Sequence, residues 1–457
     1  MTRPLFQPDG LQDAPSPAEV THPTPPPGKP RLRVPIRDQV EFRWDSLDQL
    51  LEDDHPARTV WAAVCSVDLS AWLGEIKAVE HHVGRDATDP RLLLALWVYA
   101  TLKGIGSARE LARLCCECLP YQWLCGGVTV NYHLLSDFRS QGGQKWDQLL
   151  TQTVGSLLAA ELVTMDRVAQ DGMRVRADAG KSSFRRRGTL EECLEEARQQ
   201  VEALKAADQE QGNEATPRQT KARRRAARER QQRLEEALRQ CAELQRQREA
   251  SAKQSGRKVE QARASTTDPD ARTMKFADGG YRPGYNVQFA TDTATGVILG
   301  VEVTNAGTDG EQLAPMVDQL EERYGRVPDE VVVDGGFATV NAVEQATERG
   351  CTVYAPLKDE EKQLEQGKDP YAPKKRDSEA IAGWRARMGT EAGKAVYKLR
   401  GQVAEWVNAQ CRNRGLWFMP VRGRARCRIV GLLYAVTHNL LLAGTLRAKA
   451  AAEATGA

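Results

Sequence analysis

Three observations in the sequence point to an α/β protein: a mixed sheet with flanking helices, preceded by an all-α region and interrupted by a helical hairpin. Two adjoining segments, 285–291 and 297–304, alternate apolar and polar residues. Beyond them helical and extended stretches take turns, and residues 181–264 carry helical spacing with no strand signal. A chain of 457 residues is too long for one average folding unit. No run of about 18 apolar residues is present, which excludes an integral membrane protein, and Met1-Thr2-Arg3-Pro4-Leu5 does not open a secretory signal. The ten cysteines are too few and too scattered for a disulfide framework, so the cytoplasm is the expected location. The balance of 64 Lys+Arg against 62 Asp+Glu gives, as a bulk figure, no reason to expect a polyanionic partner.

Residues 1–37 are proline-rich, with Pro23, Pro25, Pro26, Pro27 and Pro30, and read as a disordered leader. Residues 38–145 read as helical. Leu92, Leu93, Leu96, Val98, Tyr99 and Leu102 form an apolar helix entered through Asp89-Pro90, and Ser107 caps a second helix with Arg109 and Arg113 outward. A third runs from Asn131 to Arg139 with Tyr132, His133 and Arg139 exposed. Short helices broken by glycine, the last polar and ending in arginine, suit a helix-turn-helix reader of DNA, a pattern that many other helical bundles share. Cys115, Cys116, Cys118 and Cys125 cluster here, but His81, His82 and His133 do not complete a zinc spacing, so the cysteines read as packing residues.

Residues 146–180 begin the sheet. An amphipathic helix with Trp146, Leu149, Leu150, Val154, Leu157 and Leu158 leads into an extended segment, Arg167 to Asp171, then Gly172 and a second stretch, Met173 to Ala177. The block 181–265 follows as an insertion. Thr189 with Glu192 reads as a capping box, and Leu190, Leu194, Ala197, Val201 and Leu204 step by four and three. After a break at Gly212, Asn213 and Pro217, Leu234, Leu238 and Cys241 line a second helix, giving a coiled-coil hairpin. Residues 181–264 hold 21 Lys+Arg against 14 Asp+Glu. The run from Lys221 to Arg228 either touches phosphate or is a solvated coiled-coil face. The sheet resumes over 266–445, with the hairpin linked by Thr293-Ala294-Thr295-Gly296 and a helix carrying Leu313, Met316, Val317, Leu320 and Tyr324. An apolar strand ending in Asp334-Gly335-Gly336, a helix over 340–349 and a strand over 352–355 complete it. Residues 446–457 read as a disordered tail.

Two aspartates end extended segments and precede glycine: Asp171 and Asp334. That is where open α/β sheets place ligand-binding groups, although Asp-Gly is also a common turn. Asp166 and Asp178 flank the first of these, Asp268 and Asp270 read as turn or cap residues, and Asp309 as a helix cap. On a helix over 393–412, Val396, Leu399, Val403, Trp406 and Val407 form one face, opposite Glu405, Asn408 and Arg412. Glu405 stands alone in a stretch, 397–428, with eight Lys+Arg. There it is either a salt-bridge partner or a metal ligand beside a phosphate-gripping surface. No GxGxxG or GxxxxGK[ST] motif stands between strand and helix, so no nucleotide cofactor is expected.

Asp171, then Val331-Val332-Val333-Asp334-Gly335-Gly336-Phe337, then Tyr397-x-x-Arg400 followed by Glu405 and Arg412, resemble the DDE transposases of bacterial insertion sequences. The branch resembled has a tyrosine-arginine-glutamate signature and an insertion after the first aspartate. Asp268-Pro269-Asp270-Ala271-Arg272, Gly284-Tyr285-Asn286-Val287-Gln288, Asn408-Ala409, Arg422-Gly423 and Thr437-His438-Asn439-Leu440 extend the resemblance to residues 40–445. Here four residues separate Arg400 from Glu405 where the signature commonly has three, and Arg412 stands for a lysine. The resemblance implies an RNase H-like fold and a helical N-terminal DNA-binding domain. It also implies Asp171, Asp334 and Glu405 as catalytic ligands of two Mg²⁺, with Mn²⁺ substituting, and Tyr397, Arg400, Arg412 and Arg422 on DNA beside Arg109, Arg113 and Arg139 of the helical region. The implied activity is metal-dependent cleavage of double-stranded DNA at terminal inverted repeats and strand transfer, by a homodimer or larger assembly acting at the nucleoid. The alternatives are a non-catalytic DNA-binding regulator derived from a transposase and a nuclease without strand transfer. The near-neutral total charge thus hides two basic segments, 181–264 and 397–428, in an otherwise acidic chain.

Overall fold

The computed structural model describes residues 44–78, 86–210, 217–256 and 258–455. The proline-rich leader, His81 and His82, and the break at Gly212 and Asn213 lie outside the described residues. Seven helices open the chain: α1 (Pro56–Cys65), α2 (Ser70–Leu73), α3 (Pro90–Leu102), α4 (Ala108–Glu117), α5 (Leu119–Cys125), α6 (Tyr132–Ser140) and α7 (Gly143–Ala159). Their starts follow from local chemistry. Asp89, Ser107 and Asn131 each accept a backbone N–H of the first turn from the cap position, satisfying a donor the helix itself cannot pair. Cys115 and Cys125 are buried side by side, as packing residues would be.

The sheet follows. Strand β1 (Arg167–Arg176) precedes the insertion, which comprises β2 (Phe184–Arg185), α8 (Arg187–Glu210), α9 (Pro217–Ser255) and β3 (Ala264–Ser265). Then come β4 (Arg272–Lys275), β5 (Tyr281–Asp292), β6 (Ile298–Thr304), α10 (Leu313–Tyr324), β7 (Glu330–Val332), α11 (Val340–Glu348) and β8 (Thr352–Tyr354). Helices α12 (Glu360–Glu365), α13 (Glu379–Met388), α14 (Glu391–Asn413) and α15 (Arg424–Thr455) close the chain. The strand order is β4-β5-β1-β7-β8, with β6 also on β5. The β5 pairings with β4, β6 and β1 are antiparallel, while β1-β7 and β7-β8 are parallel. This is the mixed sheet expected of an RNase H-like fold. Successive strand residues point to opposite faces: at Gly300 strand β6 meets Met316 and Leu320 of α10, and at the next residue Val301 meets Gly431 of α15. The sheet is therefore covered on both faces.

Several expectations need correction. Asp171 does not end a strand. β1 runs unbroken from Arg167 to Arg176, and Asp171 pairs with Phe289 in mid-strand, because Gly172 is a close-packing position rather than a turn. Residues 446–455 are not a disordered tail but the end of α15, which the alanines there carry on as good helix formers. Helix α8 begins at Arg187, so Thr189 lies inside its first turn rather than capping it. The insertion does have strands, if only two residues each: β2 pairs with β3 antiparallel and forms a neck beneath the hairpin. Above the neck, Leu190, Leu194, Ala197, Leu234, Ala237 and Cys241 bury together as a small core of their own.

The helical region does not have a separate core. From Ser46 onward the chain forms one unit, and residues of α1, α3, α7, β1, β5, β6 and α15 share a single apolar cluster. Trp146 packs edge-on against Trp72 at 5.9 Å and Phe138 at 5.7 Å, across the boundary drawn at 145/146. Helix α15 is long and apolar enough to cross a membrane, but 72% of its apolar window is buried inside the protein, as a core helix requires.

The Thr437-His438-Asn439-Leu440 motif is structural. Asn439 Oδ1 accepts the Ile298 N–H at 2.9 Å and its Nδ2 donates to the Ile298 carbonyl at 2.7 Å, clamping α15 to β6. His438 Nε2 donates to the Gly296 carbonyl at 3.0 Å, where Gly296 takes φ +79° in the β5–β6 turn beneath Trp406. Burial pushes the His438 imidazole down to about 4. A group depressed in the fold from an unfolded value near 6.5 stabilises fully above that pH and loses its contribution as the pH falls toward 4, up to about 3 kcal/mol. Urea denaturation at pH 7.5, 5.5 and 4.5 is expected to show that loss in the wild type and not in His438→Gln; parallel curves for the two proteins would refute it.

Candidate active site

The register of the parallel pair brings two acids to the same level. Ala169 lies opposite Val332, so two residues further on Asp171 and Asp334 stand beside each other just past the end of β7. Asp334 leaves the sheet in a turn, its Oδ1 accepting the Gly336 N–H at 2.7 Å. Asp171 is held more tightly. Its Oδ1 accepts the Gly172 N–H at 2.9 Å and Arg400 Nη2 at 3.1 Å, and its Oδ2 accepts Asn408 Nδ2 at 2.9 Å. Arg400 and Asn408 both come from α14, which crosses β1. Thr390 caps this helix, and Gly393 fits where a Cβ would overlap the Arg387 carbonyl.

Arg400 is the hub of the site. One guanidinium lies 3.1 Å from Asp171, 3.7 Å from Asp334 and 3.4 Å from Glu405. The three acids singled out in the sequence therefore converge, with Glu405 the outermost: its side chain is 62% exposed, against 13% for Asp171. Burial raises the Asp171 carboxyl, opposed by Arg400 and assisted by the charge of Asp334. Burial works against the Arg400 charge, but Asp171 and Asp334 outweigh it, so the guanidinium stays protonated. Tyr397, one turn before Arg400, has its phenol raised by burial and by the neighbouring Asp334.

Helix α14 is rotated from the orientation its apolar spacing suggests. Its buried stripe is Gly393, Ala404, Val407, Asn408 and Cys411, whereas Trp406 is exposed and Asn408 is not on the outer face. The polar bonds of Arg400 and Asn408 to Asp171 turn the helix inward. The sequence missed Asn408 as a site residue; its one signal was its place in the family motif. Asn408→Ala would leave Asp171 Oδ2 without its donor. Activity is expected to fall about 10- to 100-fold, the usual cost of losing a group that orients a reactive one, with DNA affinity unchanged. Equal losses in binding and turnover would refute a positioning role.

Of the residues assigned to DNA, Arg139 must be withdrawn. It is 5% exposed, lies 4.2 Å from the Trp97 ring and donates to the Gly106 carbonyl at 2.5 Å, because its aliphatic stem and flat head fill the gap between α3 and the α3–α4 turn. Arg113 is exposed but shared between Glu110 and Glu117, so its charge is largely offset. Arg109 is exposed over Tyr132, its guanidinium 5.3 Å from the ring. Arg412 is exposed at the end of α14, and Arg422 pairs with Asp178 at 2.8 Å. Asp309 does not cap α10, whose cap position is Gln312. It accepts Asn286 Nδ2 at 2.5 Å and Gln288 Nε2 at 2.7 Å beneath Gly172. Asp268 is buried and accepts the Tyr285 hydroxyl at 2.8 Å and the Gly423 N–H at 3.1 Å.

Among the described residues no three His, Cys, Asp or Glu close into a metal cluster; the acids are spaced around Arg400 instead. Their chemistry nevertheless suits a hard divalent cation. All the donors are carboxylate oxygens, two of them neighbouring acids one of which raises the other, and Asn408 Oδ1 beside them is buried without a partner.

Comparison with known families agrees with this geometry. The model described as Transposase DDE domain matches residues 261–442, a span containing Asp334, Arg400 and Glu405, and the model described as Transposase domain (DUF772) matches residues 45–141. Neither the curated proteins nor the solved structures yielded a match.

Proposed function

We propose that this chain, a DDE transposase of an insertion sequence, binds the terminal inverted repeats of its element, cleaves them and joins the freed 3′ ends to target DNA. The observation that carries the reading is the convergence of Asp171 from the middle of β1, Asp334 from just past the end of β7 and Glu405 from α14 on Arg400. Asp171 and Asp334, with Glu405, would hold Mg²⁺ or Mn²⁺, which when bound supplies activation of a water or 3′-hydroxyl and stabilisation of the leaving oxygen. The chain's own residues do the rest. Asn408 and the Gly172 N–H fix the rotamer of Asp171. Arg400 keeps the acids together and, with Tyr397 and Arg412, offers donors to the phosphate backbone beside them. The helical region, with Arg109, Tyr132 and His133 exposed on α4 and α6, would read the repeat. Two ends must meet, so a dimer or larger assembly on DNA at the nucleoid is part of the proposal.

Purified protein with Mg²⁺ and duplexes carrying candidate terminal repeats is expected to expose 3′-hydroxyl ends and to join them to a plasmid. Ends cut but never joined would give a nuclease instead. Binding without any cutting would give a regulator.

A further inference from the structure

Between the insertion's second helix, α9, and the sheet lies a cavity of about 1780 Å³. One wall is α9 with residues 258–261 and Arg263; the other is Arg272 and Thr273 of β4, Tyr281 at the start of β5, Asn305 to Gly307, Glu311 and Arg424. The two walls are tied together: the Arg272 guanidinium bonds Gln240 of α9, whose Nε2 donates to Asp270 at 3.2 Å. The cavity is thus a built feature of the fold.

Its charge is lopsided. Eight Lys and Arg line it against five Asp and Glu, and three of those acids are already engaged. Glu236 is paired with Arg239, Glu243 with Arg246 at 2.6 Å, and Asp270 accepts Gln240 and the Arg424 N–H. By contrast Lys181, Arg186, Lys258 and Arg263 have no ion-pair partner among the described residues, and all four are exposed. Unneutralised cations gathered in a cleft focus an attractive field on a polyanion. Tyr281, 57% exposed, adds a flat ring able to pack on sugar or base.

The position of the cleft names the polyanion. Gly307 on its rim accepts Arg174 Nη2 at 2.9 Å, and Arg174 lies three residues along β1 from Asp171, about 10 Å at the rise of a strand. That is about three base steps of a duplex lying along the same direction. We propose that this cleft grips the sugar–phosphate backbone of double-stranded DNA beyond the point of cleavage, so that the insertion hairpin clamps the substrate against the sheet edge. The proposal rests on the transposase reading above and adds a second contact surface to it.

The test uses the full chain and a triple variant, Arg186→Ala with Lys258→Ala and Arg263→Ala, all exposed residues outside the catalytic cluster. Binding is measured by anisotropy over a range of KCl on two duplexes: one ending at the cleavage point, the other continuing about fifteen base pairs past it. On the longer duplex the variant is expected to lose about tenfold or more in affinity at 150 mM KCl. Its slope of log K against log[KCl] becomes shallower by about 2 to 3, at roughly 0.9 per phosphate contact; on the shorter duplex both quantities stay as in the wild type. An unchanged slope on the longer duplex, or the same loss on both, overturns the clamp while leaving wild-type cleavage of the longer duplex to speak for the transposase reading. A wild type that binds neither duplex overturns both.

Discussion

Asp334→Ala is expected to lose end cleavage by about 10³-fold or more while binding terminal-repeat DNA as the wild type does. Groups that act as one unit forfeit nearly the whole rate when any one is removed, and Asp334 shares both its level in the sheet and the Arg400 guanidinium with Asp171. Folding should not suffer. The Asp334 side chain is 36% exposed, and its negative charge works against the ionised form of Asp171. Its removal should therefore bring the Asp171 carboxyl down toward the ordinary range, visible in a carbon-13 titration of that side chain, with the melting temperature unchanged or slightly raised. Retained cleavage in a properly folded Asp334→Ala protein would remove the acid cluster from the chemistry altogether.

Gly172→Val is expected to be the more damaging substitution for the protein as a whole. A Cβ at this position would stand 2.5 Å from Gln288 Nε2, 2.7 Å from Asp309 Oδ1 and 2.8 Å from Asn286 Oδ1. None of these can yield cheaply. Gln288 and Asn286 are essentially inaccessible and share Asp309, while Gln288 also accepts Gln170 at 3.2 Å. Forcing them apart strands buried polar groups at about 1–3 kcal/mol each, so a loss of about 3 kcal/mol or more is expected in urea denaturation. Because Gly172 follows Asp171 directly, cleavage should fail even at temperatures where the variant remains folded. A stable, active Gly172→Val protein would mean that the strand has room that its neighbours deny it. Gly172→Ala should show the same defects in milder form.

Much of the sheet was legible because its residues alternate or run apolar in short blocks bounded by glycine and asparagine or aspartate. Other elements were not, for physical reasons. Strand β4 has four residues and β2 and β3 two each, too few for a period to emerge. Helix α15 escaped notice because it is buried almost all round from Cys427 to Leu440, leaving no polar face to mark a 3.6-residue rhythm. Asp-Gly at 171–172 carries a turn signal, yet here the missing side chain serves close packing across β5. The acids of the site could be picked out from their strand positions and the basic stretch around Glu405. Arg139 could not be placed correctly, since a cation at the end of a polar helix gives no hint that an indole lies beneath it. Asn408 was hidden for the opposite reason: next to Val407 in a helix, its burial depends on the tertiary pull of Asp171.

The apolar cluster that α15 shares between the helical region and the sheet bears on how such an element can change its specificity. Proteins whose recognition and catalytic parts are separate beads on a string can trade one part for another by recombination. Here the N-terminal helices rest on the same buried surface as strands β5 and β6, so a foreign helical region would have to match that surface before it could bring any specificity of its own. A fragment ending near residue 145 would expose the face of α3 that α15 covers, and so would make a poor stand-alone repressor of the parent enzyme. If α4 and α6 read the repeats as proposed, new terminal repeats would have to be reached by substitutions on the outer faces of those helices, within one indivisible body.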